Sequence, residues 1–342
     1  MKAYARLSAV VIGALVALPA AAQEVTLTVQ HFLGPKAPAQ TKLIEPWAKR
    51  VEEASQGRIK VEIFPAMALG GKPPELYRQV RDGVVDIVWT LPGYTPGVFP
   101  RVEVFELPGI HQGSAAQTTL AIQDMMPALA PDFADVHPLL IHSHAGNALH
   151  MVDGPIASAD DLAGKKLRTP SRTGAWMIEA WGAEPVGMPV PELPQALAKK
   201  VVDGALVPFE IVPPLKLQEL TAASVEGPEG LRFGTAVFLL AMNKARYESL
   251  PEDLRAIIDA NSGANLAAEI GKVWDDVEAP GKALQADSPG GQVVELDGAV
   301  YEELIARASS VTDRWVEEIT ATGIDGQALV DEARKSMAAH GN

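Results

Sequence analysis

The chain of 342 residues contains no cysteine. No disulfide can form, and no thiolate metal site exists. The small-residue run Ala20-Ala21-Ala22 is followed by Gln23, not by the cysteine of a lipoprotein anchor. Positive charge is scarce: 29 Lys and Arg stand against 43 Asp and Glu, a formal net charge of -14. That balance argues against a nucleic-acid partner, so none is expected. Any captured anion must depend on a local cation. Long apolar runs are missing as well. Residues 7–18 form one, but a membrane span needs about 20 residues. The sequence has no HExxH motif, no internal repeat and no low-complexity tract.

What is present fits a globular protein, with 47% hydrophobic and 21% charged residues. The length suggests two lobes around sizeable cores. Residues 1–22 read as a secretory signal: Lys2 and Arg6 supply the basic end, residues 7–18 the apolar middle, and cleavage is expected near Ala22. The expected compartment is the periplasm. Removing Lys2 and Arg6 takes the formal charge from -14 to -16.

The mature chain opens with a strand–helix grammar. Val25–His31 alternates as a strand, and residues 38–55 carry an apolar stripe of Leu43, Trp47 and Val51. Ile59–Phe64 is a second strand, residues 75–82 a short helix, and residues 84–90 a nearly continuous apolar run that predicts a buried parallel strand. Proline and glycine mark 93–108 as a loop over this lobe. A helix is predicted over 115–129, with strands over Val136–Ser143 and 147–152, the latter crossing between lobes. Further on, 235–243 is a strongly apolar strand returning to the first lobe, 251–262 a helix, and 265–284 a long helix interrupted near Pro280. Residues 293–296 form a short strand, Asp297 caps a helix over 301–322, and 325–339 is a terminal helix.

Residues 164–209 repeat the grammar most clearly. Lys166–Thr169, Glu184–Gly187 and 205–209 are strands; 173–181 and 191–199 are helices, the second with its prolines in the first turn. Two right-handed crossovers of this kind build a parallel sheet, and ligands sit at the carboxyl ends of such strands. Arg168 stands at one of those ends, before Pro170 and a helix start. A guanidinium fork matches a carboxylate, and the helix start offers unpaired N–H groups to an anion. The competing reading is a surface arginine on an edge strand, which Pro170 permits.

The ordered set of segments here is similar to one family. It comprises Ser55-Gln56-Gly57-Arg58-Ile59, Phe64-Pro65, Leu69-Gly70, Asp82-Gly83-Val84-Val85-Asp86, Leu107-Pro108, the run Asp161 to Pro170, Gly182-Ala183-Glu184-Pro185-Val186, Glu192, Ala196-Leu197 and Val202-Asp203-Gly204. It resembles the solute receptors of TRAP transporters, of the dicarboxylate-binding type, over nearly the whole mature chain. The resemblance implies an α/β, two-lobed periplasmic binding protein with a hinge and a long lobe-bridging helix, for which 265–278 is the candidate. It implies a receptor, not an enzyme, that delivers an organic acid to a TRAP membrane permease, with Arg168 in the carboxylate-clamping position. The lobes are expected at 23–146 plus 233–264, and at 147–232 plus 265–342. A monomer without cofactor is expected.

Two departures from the family pattern shape the expected ligand. Val207 holds a position where sugar-acid receptors of this kind carry asparagine, and Asn147-Ala148-Leu149-His150 lacks an upstream arginine. A pocket without donors for hydroxyls or a second carboxylate favours a small-molecule monocarboxylate with an apolar or aromatic body. The candidate ligand contacts are Arg168, His31, Phe32, Trp89, Leu91, His150, Arg172, Met188, Val207, Phe209 and Glu210, with Trp176 as a further wall candidate or plain helix core. Arg172 either contacts ligand or nearby carboxylates or is solvated. Glu192 and Glu210 are expected to pair with an arginine. The alternative is a periplasmic metal-binding protein or metalloenzyme using His142, His144 and His150, since HxH spacing can bind zinc.

Overall fold

The structure is a computed structural model and describes residues 23–341; the expected signal lies outside them. Among the described residues, eleven strands form two sheets. The first has the order β2-β1-β3-β10-β4 and is built from β1 (Val25–His31), β2 (Ile59–Phe64), β3 (Ile87–Thr90), β4 (Val136–Ser143) and β10 (Val237–Asn243). The second has the order β11-β9-β5-β8-β6-β7, built from β5 (Ala148–Met151), β6 (Lys166–Thr169), β7 (Glu184–Gly187), β8 (Gly204–Val207), β9 (Ala223–Glu226) and β11 (Gln292–Glu295). Each sheet has a parallel triplet at one end, made by crossovers: β1 pairs in parallel with β2 and β3, and β6 with β7 and β8. The strand read at 235–243 does return to the first sheet, where β10 runs antiparallel between β3 and β4.

The chain crosses between the sheets after β4 and again after β9. The two crossing segments hydrogen-bond to each other: Asn147 N–H donates to Gly234 O at 2.8 Å, and Phe233 N–H to Asn147 O at 2.9 Å. This pair of joined segments is where a hinge between two lobes is expected. A third connection is helical. The Ala264–Asp276 helix packs on the Ala115–Asp124 helix and β4, beside the first sheet. The Glu278–Asp287 helix continues from it and packs on residues 209–215 and β11, beside the second. The interruption falls at Val277, not at Pro280, which sits in the first turn of the second helix, where its missing N–H costs least.

Several boundaries differ from the sequence reading for local reasons. Pro46 removes one backbone donor, and the turns before it, Ala39–Ile44, wind as π-helix ahead of the Glu45–Ala54 helix. The strand predicted over 84–90 begins only at Ile87. Val84 is 69% exposed in the turn after Gly83, whose φ of +74° suits glycine. The helix expected over 301–322 breaks at Ala308 into Gly298–Arg307 and Ser309–Thr320. Asp297 caps the first of these through Ala299 N–H at 2.9 Å.

Candidate functional site

β6 is an inner strand. β7 covers one flank and β8 the other, so Arg168 pairs in register with Val186 and Ala205. The edge-strand reading fails for that reason. Pro170 ends the strand and Ser171 starts the next helix, its Oγ accepting from Gly174 N–H at 3.3 Å. Glycine is required at 174, because a Cβ there would meet Thr169 Oγ1 at 2.2 Å. This tight turn aims the Arg168 side chain into the crevice between the sheets, where it is only 2% exposed.

Main-chain carbonyls hold the guanidinium. Its Nε and Nη2 donate to Met188 O at 3.0 and 2.9 Å, and its Nη1 to Leu206 O at 3.3 Å. Among the described residues no carboxylate forms an ion pair with it, and the Tyr94 phenol is the polar side chain that interacts with it. Burial pulls its pKa below the usual arginine value, while Tyr94 works in the opposite direction. A buried cation without a counter-ion is costly. An anion supplied from outside would relieve that cost.

The cavity before Arg168 has a volume of about 40 Å³ and opens toward solvent. Its walls come from both lobes. The first sheet contributes Phe32, Leu33, Trp89, Leu91 and Phe238, together with Tyr94; the second contributes Leu206, Val207, Pro208, Glu210 and Ile211. Most of these side chains lie at or just beyond the carboxyl ends of parallel strands, where two α/β layers meet. Trp89 is stacked between Phe32 at 4.9 Å and Phe238 at 4.6 Å between ring centroids. Its indole N–H donates to His142 Nε2 at 3.0 Å. The rings therefore form a rigid stack, one edge of which walls the cavity. Tyr94 closes the cavity across the lobes, its hydroxyl accepting from Val190 N–H at 2.9 Å.

Of the residues singled out from sequence, Arg168, Phe32, Trp89, Leu91, Val207 and Glu210 are brought together in this cavity. The others are corrected. His31 lies behind Trp89, with Nε2 on Gln40 Oε1 at 3.1 Å. His150 lies behind β8: its Nε2 donates to Val207 O at 3.2 Å, and its Nδ1 accepts from Ser224 Oγ at 2.7 Å. Arg172 turns away to Glu103 (2.6 Å) and Glu318 (2.9 Å) and lies over the Trp176 ring. Trp176 is accordingly helix packing, also covered by Arg314. Met188 serves through its carbonyl, not its side chain. Phe209 is buried beneath the cavity, edge-on to His150. Glu192 is exposed, and neither it nor Glu210 forms an ion pair with an arginine. Ser171 and Arg172, at the helix start, line a separate, more open groove and not this cavity.

The histidines do not assemble a metal centre. His142 and His150 each have both ring nitrogens engaged. His144 lines the cavity, with the backbone N–H groups of Gly146 and Ala236 directed at its nitrogens. Burial pushes the His142 pKa down to about 3 and that of His150 to about 4, and lowers His144 as well. No group of three or more metal-ligating side chains occurs among the described residues.

Sequence reasoning missed Tyr94, Asn147, Phe238 and the backbone roles of Met188 and Leu206. The nearest signal for Tyr94 was its place three residues after Leu91, at the end of β3. Glu210 was noticed for the wrong reason. The residue is 6% exposed, and burial, reinforced by neighbouring Glu278, pushes its pKa up to about 8.

Comparison with known proteins agrees with this geometry. A marine-metagenome TRAP solute-binding protein specific for aromatic acids, solved with metahydroxyphenylacetate, is 43% identical, with a TM-score of 0.90 over 93% of this chain and 100% of that one. A TRAP solute-binding protein from Rhodoferax ferrireducens, solved with copurified benzoate, is 41% identical, with a TM-score of 0.88 over 92% of this chain and 98% of that one. Among curated proteins, the outer membrane transporter protein TsaT of Comamonas testosteroni is 27% identical over 95% of this chain and 96% of its own length. The family model for bacterial extracellular solute-binding proteins, family 7 (DctP), matches residues 29–318. The chain belongs to that family of solute-binding receptors.

Proposed function

We propose that this protein is a periplasmic receptor that captures a small aromatic monocarboxylate around Arg168 and passes it to a TRAP-type membrane permease. One observation carries the reading: a buried guanidinium with no carboxylate partner stands at the head of a cavity walled by aromatic and aliphatic side chains. The carboxylate is clamped by the donors that Met188 and Leu206 leave free, and the ring lies against the Phe32–Trp89–Phe238 stack. The mono-acid preference rests on Val207, which offers no polar side chain, and on the lack of a second free cation in the wall. The benzoate and metahydroxyphenylacetate held by the two similar structures support the aromatic body.

Binding proceeds with closure. The two lobes swing about the paired crossing segments; the Ala264–Asp276 and Gly326–His340 helices, counted with the second lobe from sequence, move with the first, on whose Ala115–Asp124 helix they pack. Closure removes water from around the ion pair, and lower local polarity strengthens it. The protein binds as a monomer and without a cofactor. Thermal-shift screening against a carboxylic-acid library tests the reading. A cognate acid at 100 times its Kd should add about 2.7 kcal/mol of stability. Benzoates and phenylacetates are expected to stabilise it and uronates not to. Stabilisation by uronates alone would reverse the assignment.

A further inference from the structure

We infer that Glu210 is a specificity-determining residue that recognises a hydroxyl group on the ring of the bound acid. The inference deepens the aromatic-acid reading and rests on it. It starts from an inventory of the polar groups in the cavity wall. Arg168 and, beside it, Tyr94 account for the carboxylate end. The ring nitrogens of His144 face backbone N–H groups, and Asn147 is tied through Nδ2 to Phe233 O at 3.4 Å. Glu210 differs from these. Its Oε2 is buried with no partner within hydrogen-bond distance, the one such side-chain atom among the described residues that line this cavity; the Trp274 indole N–H, also without a partner, is the protein donor directed at this carboxyl. A buried polar atom left unmatched costs stability, so the site has a reason to receive a matching group from a ligand.

The surroundings of Glu210 explain why it stays unmatched within the protein. Arg232 is engaged by Glu226 and Glu278. Glu278 accepts the backbone N–H of Glu210 at 2.9 Å, so its charge sits beside the Glu210 carboxyl. The charged and titratable groups around Glu210 are thus Glu278 with its partner Arg232, and across the cavity Arg168 and His144; the Trp274 indole approaches from the Ala264–Asp276 helix. Desolvation and Glu278 keep Glu210 protonated near neutral pH. A protonated carboxyl has both a donor and an acceptor to offer a hydroxyl. It also does not repel the ligand's carboxylate, as an ionised one would. Of the polar side chains in the wall, Glu210 is the one with a buried atom left unpartnered, so hydroxyl recognition falls to it.

Isothermal titration of benzoate and its 2-, 3- and 4-hydroxy derivatives tests the assignment on wild type, Glu210→Gln, Glu210→Leu and Glu210→Ala. Wild type should bind one hydroxylated isomer at least tenfold more tightly than benzoate. Glu210→Leu and Glu210→Ala should bring that ratio close to one while retaining benzoate. Glu210→Gln, which keeps a donor and an acceptor, should retain most of the preference. Raising the pH through about 8 should weaken wild-type binding of every acid, benzoate included, because the ionised carboxyl repels the ligand's carboxylate, and should leave Glu210→Gln unaffected. Equal affinity of wild type for benzoate and all three derivatives, or a ratio unaltered in the alanine variant, overturns the inference. Should the leucine and alanine variants fail to fold, the wild-type ratio and the pH contrast with Glu210→Gln decide it. Failure of wild type to bind any benzoate or phenylacetate would instead remove the parent reading.

Discussion

A guanidinium held only by main-chain carbonyls keeps its full charge for a guest. Arg168→Ala should therefore weaken binding of a cognate acid by about 2–5 kcal/mol in calorimetry, because the ligand's carboxylate is then buried unpaired. Arg168→Lys restores the charge but not the fork, and should recover only part of the loss. Unchanged affinity in the alanine variant would exclude the clamp. At this scale the sequence exposed Arg168 because strand-end position and residue type coincide there. It did not expose His150 as structural, since the carbonyl of Val207 and the hydroxyl of Ser224 become its partners only when β5 lies between β8 and β9. Arg172 likewise looked available until Glu103, 69 positions earlier, closed on it.

The elements that place the site are held by close approaches that periodicity does not reveal. Gly281, in the Glu278–Asp287 helix, lies so near the main chain of Phe209 that an added Cβ would stand 1.9 Å from its carbonyl oxygen. Gly281→Ala should push that helix away from residues 208–211, which form part of the cavity wall. It should destabilise the protein by about 1–3 kcal/mol and weaken acid binding as well, read by chemical denaturation and titration. A stability loss with unaltered affinity would show that the helix supports the fold without shaping the cavity. Strands and helices with strong alternation or stripes, such as β1, β4 and β6, were readable in place. The errors fall where one residue overrides the pattern: Pro46 in the first turn of a helix, Gly83 before β3, Ala308 between two helices. Backbone contributions such as Met188 O carry no side-chain signature, so no sequence motif could announce them.

For the whole molecule, burial of ionisable groups sets a pH window for stability. Desolvation lowers His31, His111 and His150 to about 4 and His142 to about 3. An unfolded chain would take up protons on these groups near pH 6.5, so their contribution is present above that value and is lost as the pH falls toward 4. Each histidine adds a slope of up to about 1.4 kcal/mol per pH unit in that range. Glu106 and Glu278 are raised to about 7 and Glu210 to about 8, also mainly by burial. Their contribution has the opposite sign: it is present below about pH 4.5 and is lost as the pH rises toward 7 and 8. The histidines outnumber the acids, so the ligand-free melting temperature should peak near pH 6.5 and decline on both sides. A melting temperature still rising between pH 7 and 8 would contradict this.

The lone cation in the crevice also bears on the empty protein. With its gates shut and nothing inside, the molecule would have to keep an unneutralised charge away from water, so an unloaded copy is biased to remain ajar. A downstream partner that grips only the shut outline would then ignore vacant carriers. A single arginine held by carbonyls would thereby report occupancy as well as grip cargo.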